Sequence, residues 1–174
     1  MLVLGVDPGA AATGYGIVAR SDGALRAIEF GSVVTSSADP FPSRLQQIFG
    51  CLADLIRRHQ PEWAAVETLV FAKNAQSAFK LGQVRGVALL AAAQGGIAIA
   101  EYTPLQVKSA VTGYGAAGKS QIQRMVQSLL NLREPPRSTD AADALAIAIC
   151  HHHSAALRHL SIGARRLSPS SAGG

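Results

Sequence analysis

The hydrophobic period changes several times along the chain, and each change marks an element. Residues 2–7, LVLGVD, form an almost unbroken apolar run, the pattern of a central strand covered on both faces. YGIVAR (15–20) and ALRAIEFGSVVT (24–35) follow, separated by the turn tripeptide SDG (21–23). These three segments predict a meander of antiparallel strands. The period then lengthens: Leu45, Ile48, Phe49, Leu52, Leu55 and Ile56 recur at helical spacing, and Pro61 marks the exit. WAAVETL (63–69) predicts a fourth strand that breaks at Glu67. An Ala- and Gly-rich helix over about 74–94 comes next, then a fifth strand in IAIAEY (97–102). Pro104 opens a short helix, and GYGAAG interrupts. SQIQRMVQSLLNL (120–132) makes another helix, and the last runs through DAADALAIAICHHH (140–153).

Three meander strands, then alternating helix and strand, then helices, give an α/β fold: a mixed five-stranded sheet with helices on its faces. A length of 174 residues suits one domain with a real core. That domain is expected over 1–157. Beyond it the chain turns to Arg, Ser, Pro and Gly, and 158–174 is expected to be a flexible basic tail. The charge sharpens this picture. The net is +5, and no acidic residue follows Asp143, whereas Arg158, Arg165 and Arg166 do. An anionic partner and a merely solvated basic surface both stay open on charge alone. Cys51 and Cys150 sit in apolar segments and read as small buried hydrophobes rather than a disulfide. With no basic leader at the N-terminus and no apolar run long enough to span a membrane, a cytoplasmic protein is expected.

Residues 113–120, GYGAAGKS, fit the G-x-x-x-x-G-K-[ST] spacing of a phosphate-cradling loop in nucleotide hydrolases. Such a loop leaves a buried strand and enters a helix. Here the preceding PLQVKSAVT carries Gln106 and Lys108 at helical spacing, and no downstream apolar run ends in a metal-holding aspartate. A Gly-rich connection between two helices is the better reading. Lys119, at the start of a helix, remains able to meet a phosphate belonging to a nucleic acid.

The acidic residues carry more. Asp7 ends the first strand and Glu67 the fourth, while Asp140 and Asp143 stand three apart on one face of the last helix. That helix is apolar nearly all round, so its carboxylates enter near the interior. Each has a bland reading: a cap or dipole partner for Asp140, turn chemistry or a strand-end ion pair for Asp7 and Glu67. Together, converging carboxylates repel one another and lose hydration, and a hard divalent cation offsets that cost. A basic protein with a carboxylate metal site reads as a nuclease that displaces at phosphorus.

LGVDPGAAATGYGIV, VETLVFAKNAQSAFKLGQVRGVAL, QVKSAVTGYGAAGKSQIQRMV and TDAADALAIAI together resemble the RuvC family of Holliday-junction endonucleases, in register from residue 2 to about 153. The resemblance implies a ribonuclease H-like fold with helices on both faces of the sheet. It also implies magnesium-dependent cleavage of four-way DNA junctions by paired symmetric nicks, leaving 5′-phosphates. Mn²⁺ is the expected substitute, with two ions per subunit. A homodimer working with the RuvA and RuvB branch-migration proteins in recombination and repair is implied as well. By matching position, Asp7, Glu67, Asp140 and Asp143 correspond to the family's catalytic, metal-binding acids, and Lys108 and Lys119 to its basic residues near the scissile phosphate. One departure stands out. Members of the family often carry a base-contacting aromatic three residues after the glutamate, where this chain has Val70; its aromatic, Phe71, comes one residue later. Phe71 is expected either to stack on bases or to pack as a core residue, and Lys73 in the same loop to contact DNA.

Other signals are weaker. His151, His152 and His153 cannot converge on one metal, because successive helical residues point about 100° apart. A cationic helix end is the expected reading. Trp63 is expected in the core. Gly82 and Gly86 have the G-x-x-x-G spacing of close helix packing, and a dimer interface is one use for it. Two competing functions share features with the chain. An ATP-binding enzyme of the actin and sugar-kinase type shares a DPG…TG turn but needs two such domains. A junction-binding module without catalysis has no need for four acids.

Overall fold

A computed structural model describes residues 1–68 and 75–166, with side chains described as far as residue 156. Strands β1 (Leu2–Asp7), β2 (Ala12–Ser21) and β3 (Ala24–Val34) form the antiparallel meander, with Asp22 and Gly23 at positive φ in the turn. Helix α1 (Phe41–His59) leads to β4 (Trp63–Glu67), α2 (Ala75–Gln94) to β5 (Ala98–Tyr102), and α3 (Pro104–Thr112), α4 (Lys119–Leu129) and α5 (Thr139–Arg166) complete the chain. The sheet order is β3-β2-β1-β4-β5, with β4 parallel to both β1 and β5. This is the expected mixed five-stranded sheet.

The two faces follow from side-chain alternation along each strand. Leu4, Val6, Ile17 and Val66 join a core with α1 and α2. Their neighbours Val3, Val18 and Ala65 join the opposite core with α3, α4 and α5. Helices therefore cover both faces, and the central strands are apolar throughout because each face is buried. At the sheet's centre α5 lies directly on β1 and β2. Gly5 and Gly14 make this approach possible: a Cβ at Gly5 would overlap the Ala144 carbonyl, and one at Gly14 the Asp140 carbonyl.

One expectation changes. Helix α5 continues to Arg166. The three histidines consequently sit within the helix and do not form a cationic end. His151 and His152 are 1% and 0% exposed, and burial lowers the His152 pKa from its ordinary value. They diverge as helical geometry requires. His151 Nδ1 meets the Tyr102 hydroxyl at 3.0 Å, His152 Nε2 the Val18 carbonyl at 3.0 Å and His153 Nδ1 the Ala110 carbonyl at 2.9 Å. Trp63 packs against this cluster, its ring centroid 4.7 Å from that of His151.

Candidate active site

Strand alternation places the first two acids. Asp7 shares the parity of Val3 and Gly5, and Glu67 that of Ala65, so both stand on the α5 face. The parallel register pairs Val6 with Val66, which sets Asp7 and Glu67 side by side at the carboxyl ends of neighbouring strands. Crevices at that end of an α/β sheet are where ligands bind. The N-terminal part of α5, seated over Gly14, brings its own acids to the same place, because Gly14 is the register partner of Asp7.

Asp7, Glu67 and Asp143 line one cleft of about 300 Å³, together with Lys108 of α3 and Lys119 at the start of α4. Pro104, Val107, Ile122 and Ala146 form its apolar wall. A larger groove between α1 and α2, of about 530 Å³, is lined by apolar residues, Arg57 and two glutamines, with no carboxylate among its described residues. The carboxylates and lysines gather in the smaller cleft.

Electrostatics there are strained. Burial, then the charges of Asp143, Glu67 and Asp140, push the Asp7 pKa from 3.8 to about 8. Burial followed by Asp143 raises Glu67, against the opposing pull of Lys108 and Lys119. Burial also raises Asp143, with Asp140 adding to it and the two lysines opposing. The lysines do not cancel the effect. Lys119 Nζ lies 3.9 Å from Asp143 Oδ2 with its side chain 79% exposed, a weak and reorientable pair.

Asp140 stands slightly apart. It does not line the cleft, and its Oδ2 accepts a 3.3 Å hydrogen bond from the hydroxyl of Ser138, the residue just before α5. Its charge still reaches Asp7 and Asp143. Asp140 lies in the first turn of α5, where a carboxylate suits the helix dipole. Phe71 and Lys73 lie outside the described residues.

The two lysines sit on helices joined by the string that fits a nucleotide loop: Lys108 on α3 before it, Lys119 at its end. Helix α3 opens on a capping box in which the Thr103 side chain accepts from the Gln106 backbone and the Gln106 side chain accepts from the Thr103 backbone. It ends at Gly113 in the left-handed conformation, and α4 begins at Lys119. GYGAAGKS is a connection between two helices; no strand feeds it.

The donors in the cleft are all carboxylate oxygens, which suit a hard divalent cation. No three of the described Asp, Glu, His or Cys side chains already close into a metal cage. An open, partial set of oxygen ligands beside two lysines fits an ion that keeps water and takes phosphate oxygens from a substrate. The raised carboxylate pKa values give such an ion a purpose, since its charge would relieve the repulsion.

Gly5 and Gly14 escaped the sequence reading as site residues, although a signal existed. A lone glycine inside an apolar strand, as Gly5 is in LVLGVD, marks a close backbone approach.

The family model described as "Crossover junction endodeoxyribonuclease RuvC" matches residues 3–151. A relative of that description from Pelotomaculum thermopropionicum is 52% identical over 153 residues, covering 88% of this chain and 93% of its own length. Among solved structures, Thermus thermophilus RuvC superposes with a TM-score of 0.83 at 36% identity, covering 91% of this chain and 97% of that one. The Thermus thermophilus protein in complex with a Holliday junction substrate gives 0.83 at 34% identity, covering 90% and 96%.

Proposed function

The chain belongs to the RuvC family of crossover junction endodeoxyribonucleases, and from that premise we propose how its cleft works. The protein is an endonuclease with a ribonuclease H-like fold, and it resolves Holliday junctions in DNA recombination and repair. One observation carries the assignment of the site: Asp7, Glu67 and Asp143 share a single cleft with Lys108 and Lys119. Opposite charges in one concavity fit a phosphodiester bridged to carboxylates by cations.

Lys108 and Lys119 bind the phosphate oxygens and draw the scissile strand into the cleft. Lys119 can leave Asp143 for the phosphate at little cost, because their pair is long and exposed. Asp7, Glu67 and Asp143, with Asp140 close enough for its charge to reach them, would hold Mg²⁺, two ions per subunit, with Mn²⁺ as the substitute. A bound cation supplies Lewis acidity toward the phosphate and makes an attacking water more acidic at neutral pH. Asp7, with its pKa raised to about 8, would have to release its proton to ligate a cation, which would couple loading to proton release. Water attacks the phosphorus in line, and the products carry a 5′-phosphate and a 3′-hydroxyl. Phe71 and Lys73 are taken as DNA contacts, as the family resemblance implies.

A homodimer makes the paired cuts. The exposed face of α2 supports it: Phe79 and Leu90 are 72% and 50% exposed, and Gly86 between them faces open space. RuvA and RuvB, which deliver junctions in this family, are the proposed partners. Among the described residues no helix is long and apolar enough to cross a membrane. The test is incubation of purified protein and Mg²⁺ with a synthetic four-way junction, with linear duplex of the same sequence as control. Junction cleavage that stops in EDTA supports the proposal. Equal cutting of the linear duplex, or full activity in EDTA, contradicts it.

A further inference from the structure

Four residues, Pro8-Gly9-Ala10-Ala11, carry the chain from Asp7 into β2. None has a side chain that can hydrogen-bond across the turn, yet the turn sets where the end of β1 sits. Two ties hold it from outside its own sequence. Thr13, 0% exposed, donates its hydroxyl to the Gly9 carbonyl at 2.9 Å and accepts from the Gly9 N–H at 3.4 Å. The second tie comes from β3's end and from α1. The Ala10 carbonyl accepts from the Thr35 hydroxyl at 3.0 Å and also from Arg44 Nη2. Arg44 Nε donates to Thr35 Oγ1 at 3.0 Å, which closes a ring of guanidinium, hydroxyl and carbonyl. The Thr35 N–H adds a 3.0 Å bond to the Ala11 carbonyl.

Arg44 is unusual in what it binds. Among the described ion pairs none involves it, and its guanidinium lies 5.4 Å over the Phe41 ring while two of its nitrogens serve a hydroxyl and a carbonyl. A half-buried cation held by neutral groups gains little as an ion pair. What it supplies is a rigid fork with two donors at fixed spacing, which a lysine cannot reproduce.

The turn needs such a hold. Asp7 is the last residue of β1 and Pro8 begins the turn, so the position of its carboxyl depends on how the turn is held. We propose that Arg44 is a positioning residue for the nuclease reaction: with Thr35 it latches the 8–11 turn and so keeps Asp7 placed to receive a divalent cation. This rests on Asp7 being a metal-binding acid, as proposed above. Partners that orient metal ligands typically contribute about 10–100-fold to metal affinity or activity.

The test uses the full-length protein with Arg44→Gln, Arg44→Lys and Thr35→Val, the last keeping the side chain's shape. Hydrogen exchange followed by mass spectrometry reads the turn directly, and a Mg²⁺ titration of four-way junction cleavage reads the site. In Arg44→Gln and Thr35→Val, exchange over residues 8–13 is expected to speed up about tenfold or more, while residues 141–150 of α5 stay protected. The Mg²⁺ midpoint is expected to rise by about 10–100-fold, with junction binding in Ca²⁺ within about twofold of wild type. Arg44→Lys should not restore the midpoint, and the double variant should be no worse than the worse single one. Wild-type exchange in the turn with an unmoved Mg²⁺ midpoint would overturn the latch. So would a loss of activity that tracks loss of protection throughout α5, the mark of general destabilisation. If Arg44→Gln does not fold, Thr35→Val decides by the same two readouts. A wild-type protein that cuts no junction would sink the functional reading instead, and the exchange comparison would still judge the latch.

Discussion

In the absence of a cation, Asp7 has no favourable place for a negative charge. Its pKa of about 8, raised chiefly by burial and then by three neighbouring carboxylates, has a consequence for stability. Between the ordinary value of 3.8 and about 8, the folded protein holds a proton that the unfolded chain has lost. The stability of the cation-free protein therefore falls as pH rises through that window, and Glu67 and Asp143, raised in the same direction, add to the fall. Asp7→Asn should flatten this decline and stabilise the cation-free protein near pH 8 by on the order of 1–3 kcal/mol. Mg²⁺ should stabilise wild type more at pH 8 than at pH 6, because the ion takes the deprotonated form. Thermal melts from pH 5 to 9, in EDTA and in Mg²⁺, check both. A wild-type melting temperature that climbs with pH in EDTA would contradict the electrostatic account. The acids were legible one by one as misplaced charges at strand ends and in an apolar helix. Their convergence could be inferred from placement and charge before the family resemblance named them, but the side-by-side position of Asp7 and Glu67 needed the register that pairs Val6 with Val66. Lys119 makes a second residue-scale test. Lys119→Ala should lower junction cleavage about 10–100-fold through loss of a phosphate contact, and neither protein should hydrolyse ATP. ATPase activity abolished by that substitution would return GYGAAGKS to the nucleotide-binding class.

At the scale of elements, α5 and the two strands beneath it decide whether the acids meet. Gly14→Ala would force a Cβ against the Asp140 carbonyl, a rigid backbone group, so α5 must shift. We expect a loss of about 1–3 kcal/mol and a larger loss of cleavage than the stability change explains. Gly50→Ala, in α1 with open space around it, should instead stabilise by about 0.5–1 kcal/mol and leave cleavage unchanged. Denaturant titrations and junction assays on the pair separate close approach from glycine content in general. Hydrophobic period alone located the elements, because strands with both faces buried and helices with one apolar stripe differ in spacing. It did not locate the start of β2 at Ala12, where AATG carries no alternating pattern and pairing with β3 holds the strand. Nor did it reveal the histidines as interior groups. Three adjacent imidazoles look like a polar helix end until Tyr102, Val18 and Ala110 are seen to receive them.

For the whole molecule, one domain supplies one carboxylate cleft, yet separating a four-way junction into two duplexes takes two matched incisions. A two-fold dimer would present two clefts to a substrate with its own pseudo-symmetry. Mixed dimers of wild type and Asp7→Asn should nick one strand and leave the junction joined; bilateral cutting by a mixed dimer would argue against paired sites. The central claim is narrower: the cleft around Asp7 cuts junction DNA and is separable from binding it. The measurement that reaches it is a four-way junction labelled on each strand in turn, incubated in Mg²⁺ with wild type or with Asp7→Asn and resolved on denaturing gels beside a binding assay. The account predicts paired nicks in opposite strands by wild type, rejoinable by ligase, and at least about 1,000-fold slower cleavage by Asp7→Asn at unchanged junction affinity. Cleavage by Asp7→Asn at the wild-type rate would contradict it.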